Sequence, residues 1–239
     1  MNLEILEGYI EVKGKYPILV TALHGFGSDY YKVIVKVLKK YLSIFGYIKT
    51  LNFYNELERS LRYSSSVDIY TWEIAFKISL AEDIWCILPT LSKVDFIDGI
   101  GLPDYNLNKS YASVTPFWKR TEEIVKNEKI KVVIDIHGMK NIKKWPDICI
   151  STRGLTTVSK ELVDRIATFF RVQGFKVAID HPFFGGAFIA AFGKPPVVEA
   201  IAIEIKRNLR FQGSKIPKFI RGAIKIVKEY IEESKSLTR

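Results

Sequence analysis

The chain has 239 residues, of which 48% are hydrophobic and 13% aromatic, and it carries a formal net charge of +10. This length and composition predict one globular domain over residues 1–239 with a large core. The N-terminal residues include acids and lack the apolar run of a signal peptide, and no later stretch supplies the roughly 18 uninterrupted apolar residues of a membrane span. We therefore expect a cytoplasmic protein with no membrane partner.

Neither the cysteines nor the positive charge by itself indicates a function. Cys86 and Cys149 stand far apart without CxxC spacing, which predicts neither disulfides nor a thiolate metal site and favours a reducing compartment. The lysines and arginines are scattered among glutamates on helical segments, where they are typical of solvated helix faces rather than of a nucleic-acid site. The abundance of Lys, Ile and Glu is typical of thermophile proteins.

Six apolar segments rich in β-branched residues are predicted to be strands. Most of them are apolar on both faces, as strands covered by helices on two sides are. The predicted fold class is therefore α/β, with three layers in the order α/β/α around a mixed, largely parallel sheet. The predicted strands cover residues 17–23, 131–136, 147–151, 175–179, 187–192 and 198–205.

Five helices are predicted between these strands, with Thr115-Pro116 as a start signal for the third and Gly174 as a stop signal for the fourth. The segment 92–114 is polar and turn-rich, and its length predicts a functional loop that lines or covers a site. The predicted helices cover residues 29–45, 69–83, 115–127, 157–173 and 215–234.

Two of the three histidines follow strands directly. LVTALHGFG places His24 after the first predicted strand, and VVIDIHGM places His137 after the second. Ligands of open α/β sheets bind at the carboxyl ends of strands, and zinc favours imidazole and carboxylate ligands. The pair therefore predicts a metal site, although either histidine could also serve a structural hydrogen bond.

Two acids could complete or orient such a site. Glu73 lies near the start of a predicted helix, where it is either a metal ligand or an acid favoured by the helix dipole. Asp135 lies two residues before His137 on the same strand face, so it could orient that ligand or cap a neighbouring helix.

Glu204 is an acid at the end of an otherwise apolar strand, a costly position unless the carboxylate is paired or functional. Burial would raise its pKa towards the range of a general base, whereas a salt bridge with nearby cations is the structural alternative. Arg207, and Arg153 after the strand DICIS, are candidates for holding a substrate carboxylate, because a guanidinium binds a carboxylate with two parallel hydrogen bonds.

These segments together resemble the N-formylglutamate amidohydrolase family, whose members share the zinc-carboxypeptidase-like fold. ALHGFG resembles the family's Pro-His-Gly or Pro-His-Ser turn, with Leu23 in place of proline, and DIHGM is similar to its Asp-Leu-His strand. PDICIST, HPFFGGAFIAAFGKP and AIAIEIKRNLR are similar to its Pro-Asp-Ile-Cys, Pro-Phe-x-Gly-Gly and Gln-x-Glu-Ile-Asn-Arg segments. The similar segments occur in the same order over residues 17–210.

The resemblance implies a metal-dependent amidohydrolase with one zinc ion, or another divalent metal in its place. His24, Glu73 and His137 would be the metal ligands, and Glu204 the catalytic acid and base. The substrate would be a small molecule carrying a carboxylate, with Arg153, Arg207, Gly185, Gly186 and His181 around it.

The family's basic, asparagine-containing substrate segment is replaced here by SKVDFIDGIGLPDYN, which supplies acids. The resemblance therefore implies hydrolysis of an N-acyl amino acid or short peptide without naming the substrate.

Two other interpretations stay open. An enzyme similar to D-aminoacyl-tRNA deacylases would use the positive charge to bind tRNA, and a binding protein without catalysis would retain the fold alone. The sequence predicts no oligomeric state.

Overall fold

The computed structural model describes residues 3–6, 8–26, 67–91, 93, 105–213 and 215–236. Its eight strands form one sheet. The strands are β1 (Leu3–Leu6), β2 (Tyr9–Val12), β3 (Tyr16–Thr21), β4 (Ile84–Pro89), β5 (Val132–Met139), β6 (Ile148–Ser151), β7 (Val177–Ile179) and β8 (Glu199–Lys206).

The helices of the described residues connect and cover these strands. They are α1 (Thr71–Glu82), α2 (Pro116–Asn127), α3 (Lys160–Val172), α4 (Ala187–Phe192), α5 (Arg207–Arg210) and α6 (Lys215–Ser236), with a 3-10 helix at Ser110–Val114. Side-chain oxygens cap two of them: the Thr115 hydroxyl accepts from Trp118 N at the start of α2, and the Ser159 hydroxyl accepts from Leu162 N at the start of α3. None of the described helices is long and apolar enough to cross a membrane.

The strand order is β1-β2-β4-β3-β5-β8-β6-β7. Parallel pairs hold the centre, where β4, β3, β5 and β8 run in one direction. Antiparallel pairs join β1, β2 and β4 on one side and β8 to β6 on the other, and β7 runs parallel to β6 at the edge. The carboxyl ends of β3, β5 and β8 therefore meet at one edge of the sheet.

Helices cover both faces of the sheet, so the predicted three-layer α/β/α fold is confirmed. One apolar cluster joins the sheet to α1, α3 and α6, with Ile74, Leu162 and Ile220 among its buried members. A second cluster on the opposite face contains Phe117 from α2 and Phe188 from α4. The predicted double-sided apolar strands arise because both faces are packed.

One predicted strand is wrong. Residues 187–192 form the helix α4, in which Phe188, Ile189 and Phe192 are buried while Ala190 and Ala191 are exposed. The buried residues are the second, third and sixth of the segment, a spacing that follows the helical period. A short apolar run by itself does not separate helix from strand.

The remaining predicted elements of the described residues match within a few positions, but three strands were not predicted. These are β1, β2 and β4. Every residue of β4 is buried. This strand begins directly after the predicted helix 69–83, in a segment for which the sequence analysis predicts no element. The predicted helix at 29–45 lies outside the described residues.

Candidate metal centre and active site

His24, Asp68 and His137 converge at the carboxyl ends of the central strands. His24 follows β3, His137 lies near the end of β5, and Asp68 precedes α1. Their ligand atoms all lie within 4.8 Å of one another. Oδ2 of Asp68 lies 3.1 Å from Nδ1 of His137 and 3.8 Å from Nδ1 of His24.

Backbone contacts explain why Asp68 reaches the two histidines. β3 and β5 are parallel neighbours, so their ends place His24 and His137 side by side, with ring centroids 4.8 Å apart. The amide of Asp68 donates a 2.8 Å hydrogen bond to the carbonyl of His24. Gly25 lets the start of α1 lie close to the turn that carries His24, because a Cβ atom at Gly25 would lie 2.6 Å from the amide nitrogen of Trp72.

The outer nitrogen of each histidine ring has its own partner. Nε2 of His24 lies 2.9 Å from Oδ1 of Asn106, an oxygen that also accepts from the amide of Asn108. Because that oxygen is an acceptor, Nε2 of His24 is the donor, and the lone pair lies on Nδ1. Nε2 of His137 lies 2.5 Å from Oδ2 of Asp135. Partners of this kind fix ring orientation in metal sites.

The structure places Asp135 against the ring of His137, which matches the first of the two roles that the sequence left open for it. Its second oxygen accepts a 3.3 Å hydrogen bond from the amide of Leu23. Asp135 thus links the turn before His24 to the ring of His137, and it is almost fully buried.

Burial and the neighbouring carboxylates set the charges of the two rings. Burial, reinforced by the charge of His137, lowers the pKa of His24 to about 4, so this ring is neutral near pH 7. Burial also acts to lower the pKa of His137, but the carboxylates of Asp135, Glu204 and Asp68 outweigh it and raise this pKa well above its ordinary value.

Asp68 stays ionised in spite of its burial. Burial raises the pKa of its carboxyl group, but the hydrogen bond and charge of His137, with smaller contributions from His24 and Arg210, lower it to about 2. Asp68 is therefore a carboxylate at neutral pH.

Glu204 lies beside this cluster on β8. It is directly opposite His137 on one side and Cys149 on the other. Only 7% of Glu204 is exposed, and burial raises the pKa of its carboxyl group to about 7 against the charge of His137. A carboxyl group that titrates near neutrality can both accept and return a proton.

The donor set fits a divalent metal ion. Two imidazoles and one carboxylate are the protein ligands of many catalytic zinc sites. Three buried carboxylates, from Asp68, Asp135 and Glu204, surround the two rings. A cation between these groups would offset their negative charge, which is the usual condition for burying carboxylates together.

Asp68, rather than the predicted Glu73, stands with the two histidines. Glu73 lies in the first turn of α1 and is outside the group of mutually close ligand atoms among the described residues. Its Oε2 atom is buried, and none of the described residues gives it a hydrogen bond. The sequence analysis proposed Glu73 alone, which lies within α1, whereas Asp68 precedes that helix.

The two predicted carboxylate-binding arginines lie on different segments. Arg153 follows β6 and has a positive φ of 53°. Its guanidinium donates a 3.3 Å hydrogen bond to the carbonyl of Gly185 and lies over the ring of Phe184. The guanidinium of Arg207, at the start of α5, lies 5.5 Å from the centroid of Phe211. Both side chains are partly exposed.

Gly185 and Gly186 lie directly before α4. Gly185 has a φ of 97°, which favours glycine, and a Cβ atom on Gly186 would lie 2.0 Å from Oδ1 of Asn108. Asn108 also accepts from the amide of Phe188, so this asparagine is packed against the start of α4. His181 is exposed.

The sequence predictions did not include Asp68 or Asn106, and they gave Arg210 no role of its own. Asn106 belongs to the predicted functional loop 92–114, most of which lies outside the described residues. The sequence predicts that this loop lines a site, but it does not predict the contact between Asn106 and His24. Arg210 was only one of several cations near Glu204. No spacing signal separates these residues from ordinary polar positions.

Comparisons with known proteins support the fold and family expectations. The model of the N-formylglutamate amidohydrolase family matches residues 117–210, which include His137 and Glu204. No curated protein sequence gave a match.

The structure is similar to solved structures of low sequence identity. One is N-formylglutamate amidohydrolase from Ralstonia eutropha JMP134, with a TM-score of 0.66, 13% identity, and coverage of 96% of this chain and 100% of that one. Gene product Atu2144 from Agrobacterium tumefaciens has a TM-score of 0.61 and 15% identity over 93% of this chain and 94% of its own. A bacteriophage poly-gamma-glutamate hydrolase has a TM-score of 0.51 and 12% identity over 98% and 93%. At these identities the likeness concerns the fold.

Proposed function

We propose, on the premise that the chain is a divergent member of the N-formylglutamate amidohydrolase family, that it is a zinc-dependent amidohydrolase. The proposed substrates are small N-acyl amino acids or short peptides that carry a carboxylate. The main support is the convergence of His24, Asp68 and His137 beside the buried carboxyl group of Glu204.

In this proposal the metal ligands are Nδ1 of His24, Nδ1 of His137 and a carboxylate oxygen of Asp68. Asn106 and Asp135 hold the two rings from their Nε2 side. Zinc in such a site acts as a Lewis acid towards the amide carbonyl and lowers the pKa of water towards neutrality.

Glu204 acts as the proton carrier. Its carboxylate removes a proton from the attacking water as the new C–O bond forms at the amide carbon. It then gives that proton to the nitrogen as the C–N bond breaks, so that a carboxylic acid and an amine leave. The rise in the pKa of Glu204 caused by burial supports this role.

Arg153 and Arg207 are proposed to hold the substrate's carboxylate, either singly or together. Their guanidinium groups lie against Phe184 and Phe211, which would bring apolar contacts next to the charge. Gly185 and Gly186 would let the backbone approach the same substrate.

The test is metal content by elemental analysis of protein purified without a histidine tag. We expect about one zinc per chain, lost in His24→Ala and in His137→Ala. His181→Ala is the matched control, because it removes the third histidine of the chain, which is exposed, and should retain the metal. The zinc-loaded protein is then assayed for amine release from N-acyl amino acids and dipeptides.

Absence of zinc from the wild-type protein, even after zinc is added at neutral pH, would exclude the hydrolase. Zinc binding without cleavage of any N-acyl amino acid or peptide would instead favour a binding protein that retains the fold.

A further inference from the structure

Arg210 is a buried cation whose side chain turns back towards the site. It ends the short helix α5, which follows β8 directly, and only 6% of the residue is exposed. Its guanidinium donates hydrogen bonds to backbone carbonyls. A buried arginine needs several acceptors, because an unpaired buried charge is strongly destabilising.

The three acceptors belong to the three segments that carry the site. Nε of Arg210 donates a 3.1 Å hydrogen bond to the carbonyl of Ile205, the residue after Glu204. One terminal nitrogen donates to the carbonyl of Ile69, the residue after Asp68. The other lies 3.5 Å from the carbonyl of Met139, two residues after His137.

These segments are far apart in sequence. The bond to Ile69 spans 141 positions, and the bond to Met139 spans 71. A planar guanidinium with donors in a fixed fork restricts where its acceptors can lie. The bond to Ile69 is also supported by the ring of Phe211, which packs edge-on against Tyr70 at a centroid distance of 4.9 Å.

Gly138 makes room for this arrangement. A Cβ atom at Gly138 would lie 2.3 Å from Cζ of Arg210 and 2.5 Å from each terminal nitrogen. Only a residue without a side chain lets the guanidinium pass beside β5 at this position. Gly138, the residue after His137, therefore serves the packing of Arg210.

We propose that Arg210 is the positioning residue that sets Asp68, His137 and Glu204 relative to one another. Its charge contributes to the low pKa of Asp68, but the hydrogen bonds of its guanidinium go to the backbone next to each of the three residues. Its consequence for metal binding and catalysis rests on the proposed function, whereas its effect on the two histidine rings does not.

The experiment uses three variants of the full chain and one control. Arg210→Met removes the fork and the charge, Arg210→Lys keeps the charge without the fork, and Gly138→Ala displaces the fork while the arginine remains. The control is Arg120→Met, because Arg120 donates to both oxygens of the fully buried Glu11, away from the site residues. The control therefore reports what loss of a structural arginine does.

Two quantities are measured on each variant. Imidazole nitrogen NMR of the metal-free protein follows the rings, and the small number of histidines, 3 in the chain, makes assignment direct. Zinc affinity is measured by competition with a chelator. We expect all three variants to shift the His24 and His137 ring signals, to leave His181 unchanged, and to bind zinc about 10–100-fold more weakly. Arg120→Met should lower Tm without moving either quantity.

Wild-type ring signals and zinc affinity in folded Arg210→Met or Gly138→Ala would overturn the proposal. Wild-type affinity in Arg210→Lys would also overturn it, since the effect would then belong to charge. If Arg210→Met fails to fold, Gly138→Ala decides the matter. Ring shifts with weakened zinc binding in a protein that cleaves no amide would reject the proposed function and leave the positioning role intact.

Discussion

The Nε2 atom of His24 lies 2.9 Å from Oδ1 of Asn106, while Nδ1 of the same ring faces Asp68. Because Oδ1 of Asn106 also accepts from the amide of Asn108, the direction of the hydrogen bond is fixed and the lone pair of His24 lies on Nδ1. One asparagine thus selects the tautomer that a metal ligand needs.

Replacing Asn106 by leucine should therefore weaken zinc binding by about 10-fold or more, because the ring loses its acceptor and its preferred tautomer. Chelator competition measures the affinity. Asn106→Asp is the matched variant, since it keeps an oxygen acceptor and should bind zinc at least as tightly as the wild type. Equal affinity in the leucine and wild-type proteins would contradict this role.

Asp68→Asn should lower the zinc affinity by more than the ~10–100-fold that is typical when a partner of a ligand is replaced, because the variant removes the charge of a ligand itself. Glu73→Gln should keep about one zinc per chain, since Glu73 stands outside the close cluster. Metal content and affinity of the two variants separate them. Loss of zinc in Glu73→Gln with retention in Asp68→Asn would restore Glu73 as the ligand.

Glu204→Gln should lower kcat by roughly 10²–10⁴-fold, the usual contribution of a general base, while zinc stays bound. Glu199→Gln is the control on the same strand: Glu199 is buried, but it accepts hydrogen bonds from Ser159 and Tyr230 and serves the packing of α6. The control should lower Tm and spare kcat. Unchanged turnover in Glu204→Gln would assign the proton transfer to another group.

The stability of the fold should decrease in acid through Glu82. Burial raises the pKa of this carboxyl group, but hydrogen bonds from Arg221 and Lys228 outweigh burial and lower the pKa below the ordinary value of 4.5. A lowered folded-state pKa contributes stability that is complete above the unfolded-state value and is lost as the pH falls through the folded-state value.

Glu82→Gln should therefore reduce the free energy of unfolding at pH 7 by on the order of 1–3 kcal/mol. The difference from wild type should shrink as the pH falls below about 4.5. Urea unfolding at several pH values measures it. Glu232→Gln, an exposed acid on α6 paired with Lys235, should change stability little at any pH. A difference for Glu82→Gln that is constant with pH would contradict the assignment.

Much of the fold follows from local sequence patterns. Double-sided apolar strands predict a sheet covered on two faces, and Thr115-Pro116 marks the start of a predicted helix at the place where Thr115 caps α2. Residues 187–192 show the limit, because six apolar residues do not by themselves separate a short helix from a strand. The contact of Gly186 with Asn108 and the packing of Phe188 resolve that ambiguity in three dimensions.

The candidate site also combines residues that the sequence predicts with residues that only the tertiary structure identifies. The sequence by itself indicated that His24 and His137 stand at the carboxyl ends of central strands and that an acid lies near the end of β8, because each of these is a local feature of one strand. Only the tertiary structure decided that Asp68 rather than Glu73 joins the histidines, and that Arg210 reaches a carbonyl 141 positions away. The physical reason is that strand order and backbone hydrogen bonds determine which distant side chains meet, and no periodicity within a single segment records that arrangement.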